Sequence, residues 1–123
     1  MYTLDTNIII YYLKEEKSAV DLMEKIFTEN VAIYISTLTE LELLSFSNLT
    51  PKEIEHIENF FKIVSIIPVD SRIARIGASL RRMYKIKTID SVIAATALFT
   101  NSILITRNLK DFKKIKNLKL LGF

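Results

Sequence analysis

The sequence predicts an α/β protein with three layers, an α/β/α sandwich in which a central, mainly parallel sheet is covered by helices on both faces. Its short apolar runs lack strict alternation, which is typical of strands buried on both sides. Between these runs, apolar residues recur every three or four positions, as on amphipathic helices. Strands that alternate with helices favour a parallel sheet, because parallel neighbours need crossover connections.

This alternation consists of five strand segments and six helix segments. The predicted strands are Tyr2 to Leu4, Val31 to Ile35, Ile63 to Ile67, Ile103 to Ile105 and Leu118 to Leu121. The predicted helices are Ile8 to Leu13, Ala19 to Phe27, Leu38 to Phe46, Ile54 to Phe61, Ile73 to Tyr84 and Ile89 to Phe99. Two helix starts carry capping signals, which are Thr50-Pro51-Lys52-Glu53 and the pair Asp70-Ser71.

The composition of the 123 residues limits the chemistry that the protein can perform. With no cysteine and a single histidine, the sequence offers no disulfide, no thiol nucleophile and no tetrahedral zinc site. No apolar stretch approaches the roughly 20 residues that cross a bilayer, and the first residues lack the parts of a secretory signal. We therefore expect one domain over residues 1–123, located in the cytoplasm, whose chemistry depends on oxygen ligands.

The charges are distributed unevenly along the chain. Residues 1–71 contain 5 Lys/Arg and 12 Asp/Glu, a net charge of −7, whereas residues 72–123 contain 12 Lys/Arg and 2 Asp/Glu, a net charge of +10. A basic segment of this kind suits a polyanion. The residues that could contact the phosphates of such a polyanion are Arg81, Arg82, Lys85, Lys87, Arg107 and Lys110. A solvated helix face or a partner interface would explain these charges equally well.

Three aspartates are candidates for a site at the carboxyl edge of the sheet, where ligands bind in open parallel sheets. Asp5 directly follows the first strand, and Asp111 lies shortly after the strand that ends at Ile105. Asp90 begins a helix rich in small residues, where close packing leaves little room for an acid. Each also has an ordinary explanation, as a helix cap, a turn residue or a charge that interacts favourably with the helix dipole.

A glutamate on the third predicted helix is the fourth candidate. Glu40 and Glu42 stand two positions apart, so their side chains diverge by about 200° and only one of them can face a given site. Periodicity alone does not choose between the two, and a solvent-exposed helix acid is the ordinary alternative for either.

Four segments, taken in order, resemble the PIN-domain nucleases, and in particular the compact VapC-type toxins. The segments are Leu4-Asp5-Thr6-Asn7, Ile35-Ser36-Thr37-Leu38-Thr39-Glu40-Leu41, Asp90-Ser91-Val92-Ile93-Ala94-Ala95-Thr96-Ala97 and Thr106-Arg107-Asn108-Leu109-Lys110-Asp111-Phe112. The resemblance covers essentially the whole chain and implies the same α/β/α fold. It also implies a set of catalytic, metal-binding acids, namely Asp5, Glu40, Asp90 and Asp111. Supporting polar residues in this pattern are Thr6, Asn7, Thr106 and Asn108.

The resemblance further implies an endoribonuclease that uses one or two Mg²⁺ or Mn²⁺ ions and hydrolyses RNA phosphodiester bonds. Carboxylates about 5 Å apart repel by roughly 3 kcal/mol at an effective dielectric near 20, so such a cluster needs cations or protons. Hard oxygen ligands match Mg²⁺ or Mn²⁺. A homodimer and an antitoxin partner are also implied. The apolar residues of the early helices are candidates for the antitoxin interface.

Two other classes of function fit parts of the pattern. A non-catalytic RNA-binding or protein-interaction module would keep the fold and use the acids only as caps and surface charge. A receiver-type signalling domain would need adjacent acids after the first strand and a lysine after a late strand. Here Asp5 is followed by Thr6-Asn7, and the late strand is followed by Thr106-Arg107-Asn108. The receiver pattern is therefore not matched.

Overall fold

The computed structural model describes residues 1–123 and contains a five-stranded sheet with the order β3-β2-β1-β4-β5. All four neighbouring pairs are parallel. The strands are β1 Tyr2–Leu4, β2 Ile33–Ser36, β3 Ser65–Ile67, β4 Ile103–Ile105 and β5 Leu120–Leu121. The prediction of a parallel sheet is confirmed, although three strands begin two residues later than expected because residues such as Val31 and Ile63 are exposed before the pairing starts.

Seven helices connect and cover these strands. They are α1 Thr6–Leu13, α2 Lys17–Thr28, α3 Thr37–Leu44, α4 Pro51–Phe61, α5 Ser71–Tyr84, α6 Thr88–Thr100 and α7 Leu109–Phe112. The first six correspond to the predicted helices. The seventh has only four residues, which is too short for a periodic pattern to reveal it. None of the seven has the length and apolar content that a membrane crossing requires.

Apolar clusters lie on both faces of the sheet, which confirms the three-layer arrangement. On one face, Met23 of α2 and Phe60 of α4 pack in a cluster that includes Leu4 of β1. On the other face, Ile93 of α6 belongs to the same cluster as Leu104 of β4. Because both sides of the short strands are covered, the sheet shows continuous apolar runs rather than alternation.

Capping residues fix where several helices begin. Thr50 and Glu53 form a reciprocal capping box at the start of α4, as predicted. Asp70 caps α5 by accepting hydrogen bonds from the backbone N–H groups of Arg72 and Ile73. Ser36, the last residue of β2, caps α3 through the backbone N–H of Leu38. The cap at Ser36 turns the chain directly from a central strand into the helix that carries both candidate glutamates.

Candidate active site

Asp5 lies at the carboxyl end of the central strand β1 and is the most buried of the candidate acids, with only 9% of its surface exposed. It occupies the N-cap position of α1, yet its side chain makes no capping hydrogen bond. Instead, Oδ2 accepts a 2.8 Å hydrogen bond from the hydroxyl of Thr106 at the end of β4. The alternative that Asp5 is an ordinary helix cap is therefore wrong.

Burial raises the pKa of the Asp5 carboxyl above its usual range. The negative charges of Asp90 and Glu42 raise this pKa further, whereas the hydrogen bond from Thr106 acts in the opposite direction. Asp5 and Asp90, which are 85 positions apart in the sequence, are thus close enough to interact electrostatically. The structure therefore brings these two candidate acids to the same edge of the sheet.

Asp90 lies in the first turn of α6 and is partly buried. Burial raises the pKa of its carboxyl, and the charges of Asp111 and Glu42 raise it further. The nearby ammonium group of Lys87 lowers this pKa. Asp90 interacts electrostatically with both Asp5 and Asp111. All three predicted aspartates therefore lie near the same edge of the sheet.

The structure places Glu42, rather than the predicted Glu40, beside Asp5 and Asp90. Glu42 accepts a 2.6 Å hydrogen bond at Oε1 from the hydroxyl of Thr6, which follows Asp5 directly. Its charge also contributes to the raised pKa values of Asp5 and Asp90. Glu40 makes no such hydrogen bond and does not contribute to those pKa values. The physical reason is the helical geometry already noted, since side chains two positions apart diverge by about 200°.

A signal in the sequence that could have identified Glu42 is its spacing from Thr39. Thr39 is fully buried, and its hydroxyl oxygen lies 3.1 Å from that of Thr6, within hydrogen-bond distance. Glu42 follows Thr39 by three positions, so the two share the helix face that meets the end of β1. Glu40 follows Thr39 by one position and lies about 100° away around the helix.

Asp111 lies on α7, where its Oδ2 accepts a 2.9 Å hydrogen bond from the side-chain amide of Asn108. Its charge raises the pKa of Asp90, which places it at the same edge. The side chain is partly buried. Asp111 is thus oriented by Asn108, which the sequence predicted to be a supporting residue.

The other supporting residues are placed unequally. Thr106 is fully buried and holds Asp5. Thr6 is buried, and its hydroxyl donates to Glu42. The side chain of Asn7 is exposed and makes no hydrogen bond within the protein. The geometry therefore supports an orienting role for Thr6, Thr106 and Asn108, and it assigns no such role to Asn7.

The six basic residues predicted to contact RNA are all exposed, but their surroundings differ. Arg81 donates to the backbone carbonyl of Ile86, which closes the turn after α5. Lys87 is electrostatically coupled to Asp90. Arg107 pairs with Glu16 within the protein. The remaining three, Arg82, Lys85 and Lys110, form no ion pair with an acid.

The chemistry of the donor set fits a hard divalent cation. None of the four carboxylates is paired with a Lys or Arg, because the three ion pairs of the protein involve Asp21, Asp70 and Glu16 instead. As placed, no three Asp, Glu or His side chains converge closely enough to hold an ion by themselves. Mg²⁺ does not need such a cage, since it keeps several waters and is commonly bound by one or two carboxylates together with substrate phosphates.

Comparison with known proteins identifies relatives over nearly the whole length of the chain. Ribonuclease VapC19 of Mycobacterium tuberculosis is 32% identical over 97% of this chain and 98% of that protein. Ribonuclease VapC2 of Rickettsia felis is 28% identical over 98% of this chain and 96% of that protein.

Solved structures show the same similarity. The crystal structure of VapBC2 from Rickettsia felis bound to a DNA fragment from their promoter contains a chain with a TM-score of 0.85 and 29% identity, covering 99% of this chain and 98% of that one. A toxin–antitoxin complex from Klebsiella pneumoniae matches with a TM-score of 0.83 and 28% identity over 98% and 96% of the two chains. Residues 2–118 also match the family described as the PIN domain. The resemblance seen in the four sequence segments is confirmed, and the chain belongs to the PIN domain family.

Proposed function

We propose that the protein is a metal-dependent endoribonuclease and the toxin of a toxin–antitoxin pair. The observation that carries the proposal is that four carboxylates lie at one edge of the sheet and form no salt bridge with Lys or Arg, namely Asp5, Glu42, Asp90 and Asp111. Its relatives of similar length are named as ribonucleases. An all-oxygen donor set with unbalanced negative charge is suited to Mg²⁺ or Mn²⁺.

Neighbouring side chains of this chain would hold the carboxylates in position for the ion. Asp5 is held by Thr106, Glu42 by Thr6 and Asp111 by Asn108, so three carboxylates have fixed directions before any ion binds. When bound, a divalent ion makes a coordinated water more acidic and stabilises negative charge on the phosphate oxygens. The site's own negative charge would keep RNA phosphates away until an ion is present.

Exposed basic side chains would bring the RNA backbone to the site. Arg82, Lys85, Lys87 and Lys110 belong to the segment with a net charge of +10 and are exposed. Since each neutralised phosphate releases counterions, binding should weaken steeply as salt rises.

We also propose that an antitoxin peptide binds an apolar groove between α1, α3 and α4. The groove is lined largely by apolar side chains of the early helices, which include Ile10, Leu13, Leu43, Phe46, Leu49 and Ile57. Phe46, one of these lining residues, has 53% of its surface exposed. Similar structures have been solved as toxin–antitoxin complexes, which supports a partner of this kind.

We propose further that the chain forms a homodimer through a second apolar surface, formed by Leu41, Val69 and Ile89. These side chains are 62%, 40% and 44% exposed and line one groove. Light scattering after size exclusion should give twice the mass of one chain, and Leu41→Lys should give the mass of one chain. Lys25→Ala, on the exposed side of α2, serves as the control and should remain dimeric. A single-chain mass for the wild type would contradict the dimer.

The test of the proposed activity is cleavage of single-stranded RNA by the purified chain with Mn²⁺ or Mg²⁺. We expect cleavage that stops when a chelator is added and returns when excess Mn²⁺ is restored. Without RNA, Mn²⁺ should raise the melting temperature, because an ion that binds only the native state stabilises it. Absence of both effects would instead favour a non-catalytic RNA-binding or interaction module on the same fold.

A further inference from the structure

The short segment between Thr106 and Asn108 connects two of the candidate ligands. The hydroxyl of Thr106 donates to Asp5 Oδ2 at 2.8 Å and accepts a 3.0 Å hydrogen bond from the backbone N–H of Asn108. The side-chain amide of Asn108 donates to Asp111 Oδ2 at 2.9 Å. The positions of the Asp5 and Asp111 carboxylates therefore depend on the conformation of this one turn.

Arg107 is the middle residue of the turn, and its side chain is fixed by several groups outside the site. The guanidinium carbon lies 4.3 Å from the ring centroids of both Tyr11 and Phe123. The same group forms an ion pair with Glu16 and donates to the hydroxyl of Ser18 at 3.0 Å. Only 38% of the Arg107 side chain is exposed despite its surface position.

The shape of arginine accounts for this arrangement. A planar guanidinium can stack on aromatic rings and present its edge to a carboxylate at the same time, whereas a lysine ammonium has no flat face. The contacts tie the turn to α1, to the start of α2 at Glu16 and to the segment after β5 that contains Phe123. The guanidinium thus contacts other segments of the same chain, and these contacts restrain the backbone between Thr106 and Asn108.

We propose that Arg107 is a positioning residue, which holds the Thr106–Asn108 turn in the conformation that aligns Asp5 and Asp111. This inference rests on the proposed nuclease function and differs from the expectation that Arg107 contacts RNA. A guanidinium that leaves Glu16 to bind a phosphate is the competing explanation, and it predicts different kinetic effects.

The test compares Arg107→Lys and Glu16→Gln with a matched control, Arg72→Lys. Arg72 likewise makes an ion pair, with Asp70, and lies 4.8 Å from an aromatic ring centroid, that of Phe99, but neither contact involves the four carboxylates. For Arg107→Lys we expect kcat to fall about tenfold and the Mn²⁺ dissociation constant from electron paramagnetic resonance to rise about tenfold, as when ligand-orienting partners are lost. KM for RNA should stay within about twofold. Glu16→Gln should change kcat in the same direction by a smaller factor, and Arg72→Lys should change neither quantity.

The opposite pattern would overturn the inference. If Arg107 contacts RNA, Arg107→Lys should raise KM with kcat unchanged, and Glu16→Gln should lower KM because it releases the guanidinium. Unchanged kinetics and unchanged Mn²⁺ affinity in both variants would also overturn it.

A readout that does not depend on activity separates this inference from the proposed function. The NMR resonances of the Asn108 backbone and side-chain amides report the conformation of the turn. Both should shift in Glu16→Gln, which changes no residue next to Asn108 in the sequence, and stay unchanged in Arg72→Lys. If the wild type fails to cleave RNA while these resonances shift as expected, the proposed function fails and the positioning of the turn stands. If the wild type cleaves RNA and the resonances do not shift, the positioning role is refuted instead.

Discussion

Replacing Asp5 with Asn is expected to reduce RNA cleavage on the order of 1000-fold and, in metal-free protein, to raise the melting temperature. The activity falls because Asn has no negative charge to hold a divalent ion. The stability rises because the mutation removes a buried charge that lies near Asp90 and Glu42. Since Asn can still accept the hydrogen bond from Thr106, the variant keeps this contact while it loses the charge, and its free energy of unfolding should exceed that of the wild type.

The gain in stability should depend on pH in a defined direction. The pKa of Asp5 is raised in the folded state, so between the ordinary aspartate pKa and this raised value the native protein binds more protons than the unfolded chain. The stability that the protonated Asp5 carboxyl contributes to the wild-type protein is therefore lost as the pH rises through that interval. The asparagine side chain in Asp5→Asn does not titrate, so the variant does not lose stability in this interval. Its melting temperature should therefore equal that of the wild type at acid pH and exceed it at neutral pH. Thermal unfolding across pH 3 to 8 in the presence of a chelator measures it.

The control for this comparison is Asp21→Asn, which removes an exposed acid paired only with Lys17. It should leave cleavage unchanged and should not raise the melting temperature. Retention of more than about a tenth of the wild-type rate in Asp5→Asn would remove Asp5 from the site. A lower melting temperature in the metal-free variant would show that the Asp5 charge stabilises the fold.

The second large effect is expected from a pair of variants on the same helix, Glu42→Gln and Glu40→Gln. Glu42→Gln should reduce kcat on the order of 100-fold and weaken Mn²⁺ binding, because Glu42 is held by Thr6 and faces Asp5 and Asp90. Glu40→Gln should stay within about twofold of the wild type. The two variants remove the same charge from positions two residues apart, so each serves as the control for the other. Single-turnover cleavage of one RNA substrate, measured as a function of Mn²⁺ concentration, gives both quantities.

A larger loss in Glu40→Gln than in Glu42→Gln would contradict the assignment of Glu42. Equal losses would show that the effect comes from the net charge of α3 rather than from a ligand. Glu42→Asp adds a further check, since it keeps the charge but shortens the side chain that reaches the Thr6 hydroxyl.

The fold could be predicted because its layers impose simple patterns on the sequence. Helices α2 and α4 each bury one side, with Met23 and Ile57 inside and acids outside, so their periodicity is clear. The central strands β1 and β4 are buried on both faces and read as apolar runs. The starts of β2, β3 and β5 could not be placed as well, since each strand begins two residues later than predicted. Only two residues of β5 pair with β4, and backbone pairing rather than hydrophobicity decides where that strand begins.

The site was predictable only in part, because ligand choice depends on side-chain direction. Asp5 and Asp90 could be identified from strand ends and helix starts, where topology decides the location. The spacing of Glu42 from Thr39 puts these two residues on one helix face, but only the contact with Thr6, which lies 36 positions away, shows that this face meets the end of β1. The intramolecular role of Arg107 was hidden for the same reason, since Glu16 lies 91 positions away. Composition made this arginine look like part of a basic surface.

The hydrogen bond from Thr106 to Asp5 links residues that are 101 positions apart. This separation determines the stage of synthesis at which the candidate site can form. During synthesis, β1 emerges early but has no β4 beside it until most of the chain has been translated. The nascent polypeptide therefore cannot bring the candidate carboxylates together while it is still short. Under the proposed function, the chain on the ribosome is an inert precursor that becomes able to cleave RNA only when the last strands dock.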